Sequence, residues 1–197
     1  MAKRLLDLLV ATLALLLLSP LLLAVAIVVK LDSPGPVFFR QERIGRHGAP
    51  FRIHKFRTMR QDAVGLPLTV GADPRITRVG AFLRRTRIDE LPQLIDVLQG
   101  SMSLVGPRPE VPRYVALYPA ALRDRALAVR PGITDPSSIE FIDEAERLAH
   151  AADPEREYVE VILPQKLQRA ADYADRATLW SDIGVLWRTL LRLAAQR

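Results

Sequence analysis

Residues 8–29 read LLVATLALLLLSPLLLAVAIVV, an apolar run without a charged side chain. An α-helix crosses the hydrocarbon core of a bilayer with about 20 such residues, so this run is long enough to do so. Ser19 and Pro20 lie near its middle. Because proline removes a backbone hydrogen bond and clashes with the preceding turn, the sequence predicts a membrane helix that breaks at Ser19-Pro20.

Basic residues lie on both sides of this run. Lys3 and Arg4 precede it and Lys30 follows it, and basic flanks are retained on the cytoplasmic side of a membrane. A broken helix with both ends on one side is a re-entrant hairpin. We therefore predict a re-entrant membrane hairpin in residues 1–36, followed by a domain at the cytoplasmic face in residues 37–197.

Two alternatives to the hairpin stay open at this point. The run is long enough to be a spanning anchor, and Ala24-Val25-Ala26 resembles the cleavage site of a signal peptide. Against the signal peptide, Asp7 weakens the positive N-terminal region, and apolar residues continue beyond Ala26. These two features favour the hairpin.

The composition limits the classes of function. Lys and Arg total 28 against 22 Asp and Glu, which gives a formal net charge of +6 and a pI of about 10.1. Such a surface suits anionic lipids, nucleic acids or phosphorylated substrates. Aromatic residues make up only 6% of the chain and are not interleaved with arginine, so we do not expect a nucleic-acid partner. The chain has no cysteine and its histidines lack ligand spacing, which argues against disulfides and zinc.

Two adjacent carboxylates, Asp89 and Glu90, lie in the segment TRIDELPQL at residues 86–94. Consecutive residues do not share one face of a helix, so we expect the two side chains to diverge to separate tasks. One can attack phosphorus or bind a divalent cation, while the other moves a proton or completes the metal shell. In an alternative reading, both acids only complement the dipole at a helix N-terminus.

A second segment, SLVGPRPE at residues 103–110, follows closely. It places Arg108 between Pro107 and Pro109. Because proline fixes φ and restricts the residue before it, the arginine is predicted to be held in a stiff, extended presentation. A guanidinium held in this way is suited to a bidentate contact with phosphate.

The remaining patterns predict an α+β protein that is mostly helical. Residues 37–45 and 50–57 alternate in polarity across a glycine-containing turn, which predicts a small β-hairpin. Its Lys55 and Arg57 either face phosphate or only prevent pairing of the exposed strand edge. Residues 61–74 predict a loop.

Three helices are also predicted after the membrane segment. They are a basic amphipathic helix at residues 78–86, a core helix at 91–98 that ends at Gly100, and a C-terminal amphipathic helix at 183–194. Trp180 and Trp187 suit a membrane interface. We therefore expect amphipathic interfacial helices around a compact core.

Four motifs occur in a fixed order along the chain. They are KFRTM at residues 55–59, DELPQ at 89–93, SLVGPRP at 103–109 and RPGIT at 130–134. Together they resemble the bacterial sugar transferases of the monotopic phosphoglycosyl transferase family, and in particular its small catalytic-core members. The similarity covers nearly the whole chain, and the family uses a Ser-Pro break in its re-entrant helix.

The resemblance implies a reaction. A sugar 1-phosphate would pass from a UDP-sugar to polyprenyl (undecaprenyl) phosphate, initiating the synthesis of a glycoconjugate such as an exopolysaccharide or lipopolysaccharide. Asp89 would attack the sugar-proximal phosphorus and hold the phosphosugar covalently, and Glu90 would act either as a metal partner or as a proton acceptor. Residues 37–197 would then be a catalytic domain at the cytoplasmic face of the bacterial inner membrane.

The resemblance also implies a set of binding residues. The expected cofactor is Mg²⁺, with Asp89, Glu90 and Glu110 as its ligands. Arg108 is the main candidate to bind substrate phosphate, and the weaker candidates are Lys55, Arg57 and Arg130.

Several points stay open from the sequence. A homodimer is an alternative to a monomer, and a non-enzymatic basic scaffold that binds anionic lipids is the alternative function. After Thr134 the chain continues with Asp135-Pro136, where many members have Gly and an aromatic residue. This departure leaves the identity of the sugar open.

Overall fold

The computed structural model describes residues 1–61, 65, 68–135, 141 and 143–195. Across these residues the protein is mostly helical with a few short strands, which confirms this part of the predicted fold class, while the re-entrant hairpin and the interfacial helices stay predictions. The helices are α1 (Ala2–Asp32), α2 (Arg78–Thr86), α3 (Gln93–Gln99), α4 (Pro112–Val115), α5 (Ala120–Ala126), α6 (Glu144–Ala149), α7 (Pro154–Glu157), α8 (Leu163–Arg176) and α9 (Leu179–Ala195). Two 3₁₀ turns, at Arg46–Gly48 and Ile88–Glu90, and a π-helical turn at Tyr158–Ile162 complete the helical elements of that part.

The strands form three small sheets among the described residues. They are β1 (Phe38–Phe39), β2 (Glu42–Ile44), β3 (Pro50–Arg52), β4 (Lys55–Phe56), β5 (Ser103–Val105) and β6 (Gly132–Thr134). The antiparallel pairs β1–β4 and β2–β3 share one hairpin, with Phe38 opposite Phe56 and Arg43 opposite Phe51. The hairpin predicted in residues 37–57 is therefore confirmed, and its last strand carries Lys55.

Strands β5 and β6 pair in parallel and bring two of the sequence motifs together. Their backbones cross so closely that a Cβ atom on Gly132 would lie 2.1 Å from the nitrogen of Gly106. A Cβ atom on Gly106 would lie 2.3 Å from the carbonyl oxygen of Arg130. Only glycine fits at these two positions, because any side chain would force the backbones apart. The crossing directs the chain after β5 into the loop that carries Arg108.

Helix α1 contains the apolar run and continues through Pro20 without interruption. Proline cannot donate to the carbonyl of Leu16 four residues earlier, and the Ser19 hydroxyl donates to that oxygen at 2.8 Å instead. In the described chain α1 is the one helix long and apolar enough to cross a membrane, with a mean hydropathy of 2.8. The predicted break at Ser19-Pro20 is not an end of the helix in this structure, and the re-entrant course stays a prediction.

Both ends of α1 contact the rest of the protein. Near its N-terminus, the buried carboxylate of Asp7 accepts hydrogen bonds from the Ser103 hydroxyl at 2.9 Å and from the Leu104 amide at 3.1 Å. At its C-terminus, Nη2 of Arg57 donates to the carbonyl of Ser33 at 2.7 Å. The two ends of one long helix are thus held by the same folded body.

Apolar clusters pack this body against α1. One cluster joins Ala11 of α1 to Val97 of α3 and Val185 of α9, and another joins Val29 of α1 to Phe56 of β4. A third lies away from α1, around the π-helical turn, and its buried members are Leu68, Val111, Tyr114, Leu148, Tyr158, Ile162 and Leu163. The helix carrying the apolar run is therefore part of the hydrophobic core along one face.

The helices predicted after the membrane segment are confirmed as elements. Helix α2 spans residues 78–86 as expected, with the Thr77 side chain accepting from the Gly80 amide as its N-cap. Helix α3 ends at Gly100, which adopts φ +90°. The predicted loop at residues 61–74 falls partly outside the described residues, as do residues 136–140 after the RPGIT motif.

Candidate active site

The two adjacent acids lie in the 3₁₀ turn between α2 and α3. Arg87 ends α2 with φ +58°, a left-handed conformation that is uncommon for a residue other than glycine. This reversal leads directly into the turn Ile88–Glu90. Asp89 and Glu90 are buried there, with 1% and 6% of their surface exposed. Burying two carboxylates is costly unless cations compensate them, and the surrounding residues provide that compensation.

Lys55 compensates Asp89. Its Nζ lies 2.9 Å from Oδ2 of Asp89. The other carboxylate oxygen, Oδ1, is buried and has no hydrogen-bond partner among the described residues. A buried carboxylate oxygen without a partner is rare in folded proteins, and Oδ1 is therefore an atom of the site whose hydrogen-bonding capacity is unused among the described residues.

Arg108 compensates Glu90 through a forked contact. Its Nη2 donates to Oε1 at 2.6 Å and its Nη1 to Oε2 at 3.3 Å. Lys55 and Arg87 lie 3.4 Å and 3.8 Å from Oε1. Burial opposes ionisation of Glu90, but Arg108 first and Lys55 next hold its pKa well below its usual value of 4.5. Glu90 is therefore a carboxylate at neutral pH.

The expected divergence of the two acids holds only in part. Oδ2 of Asp89 and Oε1 of Glu90 both contact the single ammonium group of Lys55, at 2.9 Å and 3.4 Å. The second oxygens of the two acids differ. Oε2 of Glu90 accepts from Arg108, whereas Oδ1 of Asp89 has no donor among the described residues. The pair is one site with two chemically distinct carboxylates.

Arg57 does not join this site, contrary to the sequence-based expectation. Its Nε donates to the carbonyl of Pro36 at 2.7 Å, and both terminal nitrogens contact Ser33 at the end of α1. Positions 55 and 57 would share a face of a continuous strand, but β4 ends at Phe56. Four hydrogen bonds to Val29, Ser33 and Pro36 therefore hold the guanidinium of Arg57 at the end of the apolar helix, where it satisfies free carbonyls.

Arg130 is the second phosphate candidate that lies elsewhere. Its Nε donates to the carbonyl of Gly100 at 2.8 Å, just after the end of α3. Arg4 donates to the carbonyl of Val97 at 2.7 Å in the same helix end. Cations at a helix C-terminus stabilise it by complementing the unpaired carbonyls. The arginine of the RPGIT motif therefore has a structural contact here.

In this structure Glu110 does not lie in a three-carboxylate group with Asp89 and Glu90. Its Oε1 accepts from the Val111 amide at 2.8 Å and its Oε2 from the Tyr158 hydroxyl at 2.5 Å. Within the described ranges there is no group of three or more His, Asp or Glu side chains placed to hold a metal ion. Mg²⁺ commonly uses only one or two protein carboxylates together with substrate phosphates, so Asp89 with its free oxygen and neighbouring Glu90 still fit that ion.

Two residues that were not predicted from the sequence, His54 and Asp96, connect the elements that carry Lys55 and Asp89. Asp96 of α3 accepts from the His54 amide at 2.8 Å and lies 2.7 Å from Nδ1 of the same histidine. The double contact ties the start of β4 to the helix that follows the acids, which fixes Lys55 relative to Asp89. A contact across 42 positions leaves no local signal in the sequence, so the pairing of His54 with Asp96 could not be predicted.

Comparisons with known proteins find a family model and several relatives that match this chain. The family model described as bacterial sugar transferase matches residues 1–196. A UDP-glucose:undecaprenyl-phosphate glucose-1-phosphate transferase of Caulobacter vibrioides is 41% identical over 192 residues, which cover 95% of this chain and 68% of the relative.

Two further relatives are similar over nearly the whole chain. A UDP-N-acetylgalactosamine-undecaprenyl-phosphate N-acetylgalactosaminephosphotransferase of Aeromonas hydrophila is 38% identical over 95% of this chain and 42% of its own length. A UDP-glucose:undecaprenyl-phosphate glucose-1-phosphate transferase of Escherichia coli is 39% identical over 96% of this chain and 39% of its own length. The chain thus spans about two fifths of these two relatives and about two thirds of the Caulobacter protein.

Proposed function

This chain belongs to the bacterial sugar transferase family, and from that membership we propose that it transfers a sugar 1-phosphate from a UDP-sugar to undecaprenyl phosphate. The names of the relatives support the two substrates, with glucose as the sugar in two of them and N-acetylgalactosamine in the third. The observation that carries the proposal is the Asp89 carboxylate, which is buried and has one oxygen paired with Lys55 and the other unpartnered among the described residues.

In the first step, a carboxylate oxygen of Asp89 attacks the sugar-proximal phosphorus of the donor. The new bond joins that oxygen to phosphorus, and the bond from phosphorus to the bridging oxygen breaks. UMP leaves with the electron pair, and the phosphosugar stays on the enzyme as an acyl phosphate. The unpartnered Oδ1 supports this role because it can approach phosphorus without first losing a hydrogen bond.

In the second step, an oxygen of the lipid phosphate attacks the same phosphorus. The carboxylate of Asp89 leaves with its electron pair, and the product is undecaprenyl diphosphate sugar. A general base is most effective when its pKa lies near the operating pH. The strongly lowered pKa of Glu90 therefore favours its role as a metal partner over its role as a proton acceptor.

Mg²⁺ is the proposed cofactor, and Asp89 and Glu90 are the residues that would hold it. When bound, a divalent cation offsets the negative charge of the diphosphate that an attacking carboxylate must approach. Oxygen ligands suit this hard cation. The absence of cysteine from the chain is consistent with an all-oxygen site.

Arg108 and Lys55 are the proposed phosphate-binding residues. The Arg108 side chain is 41% exposed, although its guanidinium forks onto Glu90. A planar guanidinium binds phosphate in the same bidentate manner as it binds a carboxylate. The donor diphosphate can therefore engage the exposed edge of this group without displacing Arg108 from the site.

We further propose that α1 enters and leaves the cytoplasmic leaflet of the inner membrane. A helix of 31 residues is about 46 Å long, and a bilayer core is about 30 Å thick. If α1 crossed it upright, its ends would lie on opposite sides, whereas both ends contact the same folded body. Residues 1–36 then form the membrane element, and residues 37–197 form the catalytic domain at the cytoplasmic face.

Exposed apolar side chains on two other helices support an interfacial position. Phe82 of α2 is half exposed, and Trp180 and Trp187 of α9 are largely exposed. The cluster that contains Val185 of α9 also contains Ala11 of α1, so α9 lies beside the apolar helix. Tryptophan favours the headgroup level of a bilayer, where the phosphate of a polyprenyl carrier also lies.

UMP release tests the proposed function. The purified protein is incubated with undecaprenyl phosphate, Mg²⁺ and a panel that contains UDP-glucose and UDP-N-acetylgalactosamine. We expect UMP and a lipid-linked sugar from at least one donor, and near-complete loss of both with Asp89→Asn. The exposed Asp124, which contacts only its neighbour Arg123 among the described residues, provides the matched control Asp124→Asn.

The alternative function makes the opposite prediction. A non-enzymatic lipid-binding scaffold would release no UMP with any donor, and Asp89→Asn would leave its function intact. Membrane association of the variant, measured by flotation with liposomes, should persist under either function. It therefore shows whether a loss of turnover comes from chemistry or from misfolding.

A further inference from the structure

A buried chain of polar groups lies directly behind Arg108. The Tyr158 hydroxyl donates to Oε2 of Glu110 at 2.5 Å. On the other side, Nη1 of Arg43 lies 3.4 Å from Oε1 of Glu110 and donates to the carbonyl of Pro109 at 3.0 Å. Pro109 and Glu110 follow Arg108 immediately in sequence, so these hydrogen bonds hold the loop that carries the guanidinium.

The same loop is also held through its backbone. The carbonyl of Glu110 accepts from the Ile44 amide at 2.9 Å, and the Val111 amide donates to Oε1 of Glu110 at 2.8 Å. The loop is therefore fixed to β2 on one side and to the π-helical turn on the other. Because Pro107 and Pro109 restrict the backbone on both sides of Arg108, a shift of Glu110 is transmitted to the arginine.

The burial of these groups makes their geometry exacting. Tyr158 is 2% exposed, and burial together with Glu110 raises the pKa of its hydroxyl, so it donates a hydrogen bond at any physiological pH. Tyr158 begins the π-helical turn, and such turns frequently occur at functional sites. The Nε of Arg43 is buried without a partner among the described residues and its Nη2 donates to Oε1 of Gln41 at 2.6 Å, so loss of Glu110 would leave this guanidinium with one acceptor fewer.

We propose that Tyr158 and Glu110 are positioning residues for Arg108. In this proposal they act through Arg108 and not on the substrate itself. They fix the loop so that the guanidinium meets Glu90 and substrate phosphate in the forked geometry. This inference rests on the proposed function, in which Arg108 binds phosphate, and it gives Glu110 a role other than metal binding.

A matched pair of substitutions tests the inference. Tyr114 packs against Tyr158 with ring centroids 4.8 Å apart, and its hydroxyl is buried without a partner among the described residues. Tyr158→Phe and Tyr114→Phe thus each remove one buried hydroxyl from the same aromatic pair, but only the first breaks a contact with Glu110. Because a hydrogen bond to a charged group is lost, we expect Tyr158→Phe to lower kcat/KM for UMP release about tenfold. Tyr114→Phe should stay within about twofold.

The arginine itself provides the second arm of the test. If Tyr158 acts through Arg108, Tyr158→Phe should cause no further loss in the Arg108→Ala background, because the group it positions is already gone. A merely structural role would give the same fold-loss in both backgrounds. Glu110→Gln keeps one acceptor oxygen, so an intermediate loss that also disappears in the Arg108→Ala background is expected. The test therefore does not depend on the folding of one variant.

The outcomes separate this inference from the proposed function. Equal rates for Tyr158→Phe and Tyr114→Phe, or an undiminished Tyr158→Phe effect in the Arg108→Ala background, would overturn the positioning role and leave the transferase function standing. Absence of UMP release by the wild-type protein with every donor would overturn the proposed function, and the positioning role with it.

Discussion

The ammonium group of Lys55 lies 2.9 Å from Oδ2 of Asp89, while Oδ1 of the same carboxylate has no hydrogen-bond partner among the described residues. The lysine therefore orients one oxygen and leaves the other available. Lys55 also reaches Glu90, so a single cation organises both acids. This relationship makes Lys55 the first residue to test after Asp89.

Replacing Lys55 by methionine keeps the length and apolar stem of the side chain but removes its charge. Two buried carboxylates then lose a shared cation, and the phosphate loses a donor, so we expect kcat for UMP release to fall about 100-fold. Arg123→Met is the control for loss of a cationic side chain, because the exposed Arg123 forms its ion pair with the neighbouring surface residue Asp124. A rate within twofold of the wild type for Lys55→Met would show that the pairing has no catalytic part.

Arg108→Lys tests the forked contact. Lysine keeps the positive charge but cannot make two parallel hydrogen bonds to Glu90 or to a phosphate. We expect kcat/KM for the UDP-sugar to fall about tenfold with little change in the thermal unfolding temperature, since the Arg108 side chain is half exposed. Steady-state kinetics across donor concentrations measures this. Unchanged kinetics would mean that charge alone suffices at position 108.

Arg57→Lys should lower stability and leave donor binding unchanged, which is the reverse of the result expected for Arg108→Lys. Arg57 is buried and satisfies oxygens of Ser33 and Pro36 at the exit from α1. A lysine cannot reproduce this fan of contacts, so the unfolding temperature in detergent should fall by several degrees. The KM of the folded protein for the donor should change little. A large rise in KM at an unchanged unfolding temperature would instead show that Arg57 binds substrate phosphate.

The sequence predicted the elements better than it predicted the contacts between them. The hairpin, α2 and α3 could be predicted because alternating polarity, a Thr cap and a terminal glycine are local signals. The sequence also identified four candidate site residues that the structure brings together, and they are Lys55, Asp89, Glu90 and Arg108.

The candidate site residues that lie apart from these four have partners far away in sequence. Their charges and motifs suit a phosphate or metal site, but their contacts lie elsewhere. Arg57 and Arg130 donate to carbonyls at helix ends, and Glu110 accepts from the Tyr158 hydroxyl. No spacing rule connects position 110 to position 158, since only the packing of the π-helical turn brings them together. Motif membership identified residues near the site without separating those that line it from those that support it.

The membrane course of α1 can be tested with cysteines, because the natural sequence contains none. Ala2→Cys and Asp32→Cys each place one exposed thiol at an end of the helix. If α1 enters and leaves the same leaflet, a membrane-impermeant maleimide should label both variants in inverted vesicles and neither in intact spheroplasts. Labelling of one position in spheroplasts and the other in inverted vesicles would establish a spanning helix.

The covalent step is tested most directly by mass spectrometry of the peptides of the reacted protein. The protein is incubated with Mg²⁺ and the UDP-sugar that supports turnover, without undecaprenyl phosphate, and is then digested and analysed. The account predicts a mass increase of one phosphosugar on the peptide that contains Asp89, its absence in Asp89→Asn, and its loss when undecaprenyl phosphate is added. Undiminished turnover by Asp89→Asn, or an adduct on a different peptide, would contradict it.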